Sequence, residues 1–301
     1  MRKCLGLLAA VCLTFQSAFA AATFEEAVAL FEDKHYVEAR GIAEPLANAD
    51  DPRAMAMMGA LLQKGLGTKV DVTAAAEWYR KAAEKGHPGS QFSLAMMLLD
   101  GSLGEPDPEA AAVWLEKAAD GGNADAQYNL GLVFSGTYGT EPDWPKAAAW
   151  FRKSADQGVV EAEYNLGLIY LDGKGVEKNL VSAADWFSRA AVKGMPDAAL
   201  EYGVLVMRGD GVQRDLPIGL KWLQFAAGKG HPVAQNRLAR IYATGTGVKA
   251  DVVQAAMWNL LATAGGRPDP TLEDMMAKLT PEQRKDAEDR VARFRADNAA
   301  P

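Results

Sequence analysis

Six tryptophans, Trp78, Trp114, Trp150, Trp186, Trp222 and Trp258, stand at a constant interval of 36 residues. Glycine keeps the same interval at Gly86, Gly122, Gly158, Gly194, Gly230 and Gly266. So does an acidic or amide position: Asp71, Asp107, Asp143, Asn179, Asp215 and Asp251. Alanine recurs at 75, 111, 147, 183 and 255, with Gly219 in its place once. Six units without an insertion therefore cover 51–266. A chain of 301 residues would otherwise suggest two ordinary domains. A fixed period of this length instead marks a solenoid of stacked supersecondary units.

One unit shows what is stacked. Ala162, Leu166, Ile169 and Tyr170 fall at i, i+4, i+7 and i+8, a single stripe of a helix. Gly167 lies between them, where a missing side chain admits a neighbouring helix. Gly173 and Gly175 follow and supply the positive φ that ends a helix and turns the chain. A second helix is expected from Asn179 or Leu180, with Ala183, Trp186, Phe187, Ala190 and Ala191 on its apolar face, and Gly194 ends it. Such a hairpin cannot bury its apolar faces alone, so neighbours must stack. The Gly-x-Gly pairs (Gly65/Gly67, Gly173/Gly175, Gly209/Gly211, Gly245/Gly247) follow helices. They lack a third glycine and a phosphate-loop lysine, so they read as turns.

The pattern Ala162…Leu166-Gly167…Tyr170…Gly173…Gly175-Val176, then Ala183…Trp186…Ala190-Ala191…Gly194, resembles the Sel-one-like repeat (SLR), a branch of the tetratricopeptide superfamily. Ala95 and Ala239 replace the small glycine, and Leu103 replaces the second turn glycine. The resemblance implies an all-α, right-handed α-solenoid, a superhelix of antiparallel helix hairpins that serves as a protein-binding adaptor.

The ends depart from the repeat. Residues 1–20 have the layout of a cleaved signal peptide: Arg2 and Lys3, an apolar run from Leu5 to Phe15, and the small-residue site Ala18-Phe19-Ala20. Export to the periplasm is expected, with secretion as the second destination. Cleavage removes both cysteines, Cys4 and Cys12, and with them any disulfide, thiolate nucleophile or cysteine-based zinc site. No later segment has the length of a membrane helix. Residues 21–50 read as a degenerate capping hairpin, with the stripe Phe24, Ala27, Val28 and Phe31, and with Pro45 expected to kink its second helix. Residues 267–301 read as a helical cap. There Thr280, Pro281 and Gln283 make a helix start, and Ala287, Val291 and Phe294 form a narrow seam on a charged helix.

Catalytic chemistry finds no foothold. His87 and His231 occupy the same repeat position four units apart, and His35 opens a helix. There is no G-x-S-x-G elbow and no H-E-x-x-H. No catalytic residue, cofactor or metal is expected. The formal charge of −7 argues against a general nucleic-acid binder. The alternative is a cell-envelope enzyme or a peptidoglycan- or β-lactam-binding protein of the cysteine-rich repeat type. It is weakened by the loss of both cysteines. The tryptophans could stack sugars, but their place on the inter-hairpin stripe predicts core packing. Trp144, off the ruler, reads as a staple at the start of its helix.

The first helix of each unit carries a second stripe. Ala162 and Tyr164 are about 160° apart on a helix, so Tyr164, Leu168 and Leu171 face away from the core stripe. In tetratricopeptide-type superhelices this face lines the concave groove. The equivalents are Phe92, Met96 and Leu99; Tyr128 and Leu132; and Leu200, Val204 and Met207. Asn129 and Asn165 stand beside the tyrosines as donors for a peptide backbone. Toward the C-terminal end Asn236, Arg237 and Arg240 take over. The expected ligand is a segment of another protein of the envelope or periplasm, lying from Phe92 to Met207 with an acidic group near Arg240.

Overall fold

The computed structural model describes residues 23–298, so the expected signal peptide lies outside the described residues. They form sixteen helices, and no strand occurs among them. The chain divides into two compact units, which meet at Glu105 and Pro106. The first contains α1 (Phe24–Glu32), α2 (Tyr36–Asn48), α3 (Pro52–Lys64), α4 (Val72–Glu84) and α5 (Pro88–Leu99). The second contains α6 (Pro108–Asp120), α7 (Ala124–Phe134), α8 (Trp144–Asp156), α9 (Val160–Asp172), α10 (Leu180–Val192), α11 (Pro196–Arg208) and α12 (Leu216–Gly228). It continues with α13 (Pro232–Thr244), α14 (Val252–Ala264), α15 (Pro270–Ala277) and α16 (Pro281–Asn298).

Within each unit every helix packs on the next in sequence, up to α14, and α16 folds back on α14. The chain is thus an all-α solenoid of helix hairpins. Helix α2 runs through Pro45 to Asn48. At the other end, Thr280 and Gln283 exchange backbone and side-chain hydrogen bonds of 3.0 and 3.2 Å at the start of α16.

The recurring acidic and amide residues are helix N-caps. Asp71, Asp107, Asp143, Asn179, Asp215 and Asp251 each accept a hydrogen bond from the backbone N–H three residues on, at 2.8–3.1 Å. That satisfies one of the donors a helix start leaves open. His87 and His231 do the same work for α5 and α13 through Nδ1, accepting from Ser90 and Ala234. His231 also lies 3.3 Å from Asp197.

The two glycines of each Gly-x-Gly turn have different jobs. Gly173 closes α9 in the left-handed region (φ 76°), and its N–H bonds back to Ile169. Gly175 (φ 68°) lies against the preceding hairpin. A Cβ there would come within 2.5 Å of the Trp144 carbonyl carbon and the Pro145 nitrogen. One glycine ends a helix; the other lets the turn rest on the first residues of α8.

The tryptophans differ from the core reading. Trp186 and Trp258 are buried, but Trp78, Trp114, Trp150 and Trp222 are only half-buried. The fully buried knob is the residue that follows: Leu115, Phe151, Phe187 and Leu223 are each at most 1% exposed. Phe151 and Phe187 close on Gly131 and Gly167, where a Cβ would sit 2.5–2.6 Å from the ring. The tryptophan, one position further round the helix, sits at the edge of the core. Its outer face is covered by a cation three residues on: Lys81 over Trp78, Lys117 over Trp114, Lys153 over Trp150 and Arg189 over Trp186, at 3.7–4.5 Å from the ring centre.

Candidate functional site

Successive first helices of the second unit, α7, α9 and α11, carry the second stripe. Tyr128, Leu132, Tyr164, Leu168, Leu171, Val204 and Met207 are half-buried, and Leu200 is buried. The inner edges of Tyr128 and Tyr164 lean on the core knobs, with ring centres 5.8 Å from Phe151 and 5.7 Å from Phe187. Their outer edges stay accessible. Burial, with the nearby carboxylates of Asp197 and Glu201 adding to it, pushes the Tyr164 phenol up to about 12. It therefore stays a neutral donor at every physiological pH. In the first unit, Phe92 and Met96 are half-buried on α5, and Leu99 is buried.

The asparagines turn inward. The Asn129 amide donates to the Asp125 carbonyl at 2.8 Å, and its oxygen accepts from the Tyr138 hydroxyl at 3.4 Å. Asn165 donates to the Glu161 carbonyl at 2.8 Å. A short amide side chain on a helix reaches the carbonyl one turn earlier and shares that acceptor with the backbone N–H. Asn165 still borders a cleft of about 230 Å³ with Ser135, Trp144, Leu168 and Lys174. The period could not single out Ser135 or Trp144 for this cleft, because they come from the preceding hairpin, whereas Lys174 follows Asn165 and Leu168 in the same one.

A larger pocket, about 660 Å³, opens where α11, α12 and α13 meet the turn before α15. Val204, Met207, Leu216, Leu223, Val233 and Ile241 supply its apolar wall. Five arginines line it as well: Arg208, Arg214, Arg237, Arg240 and Arg267. Arg240 and Arg237 belong to the expected groove; Arg208, Arg214 and Arg267 do not follow from the repeat. Arg208 and Arg214 flank the Gly209/Gly211 turn, and Arg267 lies beyond the last unit. A run of basic residues around one turn was the signal available.

The acidic group beside Arg240 comes from the chain itself. Asp269, 2% exposed, accepts from Arg240 Nε at 2.6 Å and Asn236 Nδ2 at 2.9 Å. It also caps α15 through the Thr271 N–H and hydroxyl, at 3.1 and 2.7 Å. The Arg240 hydrogen bond, with help from Thr271 and Asn236 against the cost of burial, holds this carboxyl far below the usual carboxylate range. A depressed folded-state pKa adds stability that is fully present above the unfolded value, about 3.9, and is lost as pH falls below it. The melting temperature of the native protein should therefore exceed that of D269N at neutral pH. The gap should narrow only below about pH 4. A gap that stays constant down to pH 3 would refute the linkage.

The remaining cations are less engaged. Arg214 Nε donates to the Met207 carbonyl at 3.1 Å. Among the described residues, the guanidinium groups of Arg208, Arg237 and Arg267 make neither a hydrogen bond nor an ion pair. Burial acts against the charge on half-buried Arg237, Glu201 supports it, and Arg208 and Arg240 oppose it. Among the residues that line the pocket, five carry guanidinium groups and one, Asp269, a carboxylate.

Hairpins of this length with a small-residue and aromatic lock define a helical-repeat protein of the tetratricopeptide-like class. The chain belongs to the Sel1 repeat family: the Sel1 repeat matches residues 52–87, 88–123, 124–159, 160–194, 196–231 and 232–266. No curated protein matches the chain. Among solved structures it is similar to c5321, a protective antigen of uropathogenic Escherichia coli with an SLR fold. That likeness has 28% identity and a TM-score of 0.77, over 91% of this chain and 61% of the antigen. The chain thus spans less than two thirds of that relative. It is also similar to a Sel1 repeat protein from Oxalobacter formigenes, with 28% identity and a TM-score of 0.66 over 79% of this chain and 96% of that one. Sel1 repeats generally serve as protein-interaction scaffolds without catalysis of their own. Among the described residues, no helix is long and apolar enough to cross a membrane.

Proposed function

We propose that this chain is an exported, non-enzymatic adaptor that holds a segment of another envelope protein in the concave groove lined by the second stripe of its first helices. The observation that carries the reading is the row Tyr128, Leu132, Tyr164, Leu168, Val204 and Met207. These are aromatic and aliphatic side chains on three successive first helices, half-exposed where a solvent face would be polar. The n-region, apolar run and Ala18-Phe19-Ala20 site support export to the periplasm.

Photo-crosslinking in cells tests it. A crosslinker at Leu168 or Met207 should give one discrete protein adduct in the periplasmic fraction, from a chain whose first residue is Ala21. The same group at exposed Val181 or Val192 on α10 should give none. Changing Tyr128 and Tyr164 together to Ser should abolish the adduct. Because both rings lean on buried phenylalanines, this pair also costs stability, so N165R is the companion variant. It places a bulky cation at the rim of the cleft and leaves the core contacts in place. Adducts that survive N165R and the tyrosine pair, or that form equally at Val181, would remove the reading.

A further inference from the structure

The arginine-lined pocket has more cation than its own structure uses. Asp269 occupies Arg240 and Asn236, and the Met207 carbonyl occupies Arg214 Nε. That leaves Arg208, Arg237 and Arg267 unpaired among the described residues, around a cavity of about 660 Å³. Arg208 and Arg267 are exposed and Arg237 is half-buried, so all three are open to an incoming group, and their planar fork suits a carboxylate, which it can meet with two parallel bonds. Asp269 shows how this wall receives one: a guanidinium N–H and an amide N–H on the same oxygen, at 2.6 and 2.9 Å.

The apolar half of the wall narrows the ligand. Val204, Met207, Val233 and Ile241 would stay wet under a bare inorganic anion. An extended polyanion would meet the net charge of −7 carried by the chain as a whole. A short segment with carboxylates beside an aliphatic side chain satisfies both halves. We infer that this pocket selects an acidic-aliphatic peptide segment of the partner, its carboxylates on Arg208, Arg237 and Arg267 and its aliphatic side chain on Val204 and Val233. The inference rests on the adaptor reading and gives it a chemical specificity.

Two fluorescein-labelled hexapeptide mixtures test it, one with a fixed central Glu-Leu-Glu and one with Gln-Leu-Gln, by fluorescence anisotropy on the purified protein. The glutamate mixture should bind at least about tenfold tighter, because each lost charge-assisted bond is worth that much. The preference should vanish in R237Q/R267Q. It should persist in R284Q/R293Q, whose changes lie on the exposed face of α16. Equal binding of the two mixtures, or a preference untouched by R237Q/R267Q, overturns the proposal. Displacement of the peptide by an equal concentration of inorganic phosphate also overturns it, in favour of a small-anion site. The two readings fail separately. A crosslinked partner without a glutamate preference keeps the adaptor and removes the acidic specificity, whereas loss of the crosslink leaves the peptide measurement to stand by itself.

Discussion

Replacing Phe187 by Ala should destabilise the protein by about 3–5 kcal/mol, the usual range for truncating a buried aromatic ring. Phe187 is completely buried and fills the gap over Gly167, so the space it leaves cannot be filled by a neighbour without moving α9 toward α10. W186A should cost a similar amount, since that ring is 5% exposed and packs with Phe151, Ala162 and Leu166. W150A should cost clearly less, because its ring is half-exposed beneath Lys153. Urea unfolding of the three variants reads this order directly. Hydrogen exchange in F187A should speed up first across 160–230, since a repeat touches only its neighbours. If W150A proves as damaging as F187A, the tryptophan ruler marks the core and the assignment of the knobs is wrong.

The second large effect is expected at Gly175. Any other residue there must hold a left-handed backbone at φ 68°, which costs about 1–2 kcal/mol by itself. Its Cβ must also displace backbone atoms of Trp144 and Pro145 that would lie 2.5 Å away. Backbone at the start of a helix cannot move aside as a side-chain tip does. G175A is therefore expected to lose on the order of 4 kcal/mol or more. G173A meets only Lys178, whose Cβ would be 3.0 Å distant, so it should lose little beyond the left-handed strain. G194A, at φ 98° with nothing within 4 Å, provides the strain-only reference. Denaturation midpoints should rank G175A far below G173A and G194A. A G175A protein as stable as G194A would show that the turn does not rest on the preceding hairpin. Gly211 repeats the arrangement: its Cβ would come within 2.2 Å of the Leu180 backbone.

These residues also separate what was legible in the sequence from what was not. The helix starts at Asp71 to Asp251, the stop at Gly173 and the start of α16 at Thr280 and Gln283 are settled within a few residues of chain. Their hydrogen bonds join positions two to four apart, so composition and spacing expose them. The 36-residue period then requires hairpins to stack, because no single hairpin can cover its apolar face. The all-helical solenoid follows from the sequence alone.

What lay beyond the sequence depends on which atoms meet across hairpins. Trp150 and Phe151 sit side by side on one apolar stripe, and only the approach of Gly131 decides which ring is enclosed. Gly173 and Gly175 look alike in the chain, yet one closes its own helix and the other carries its neighbour. Asn129 and Asn165 read as free donors until the carbonyls one turn earlier claim them. The arginine pocket breaks the period altogether. Arg208, Arg240 and Arg267 come from three separate segments, and Asp269, 29 residues after Arg240, neutralises one cation and leaves others open. Local hydrogen bonding and periodic burial are written in the order of residues. The charge left over at a pocket is a sum over distant groups, and only the packed chain brings those groups together.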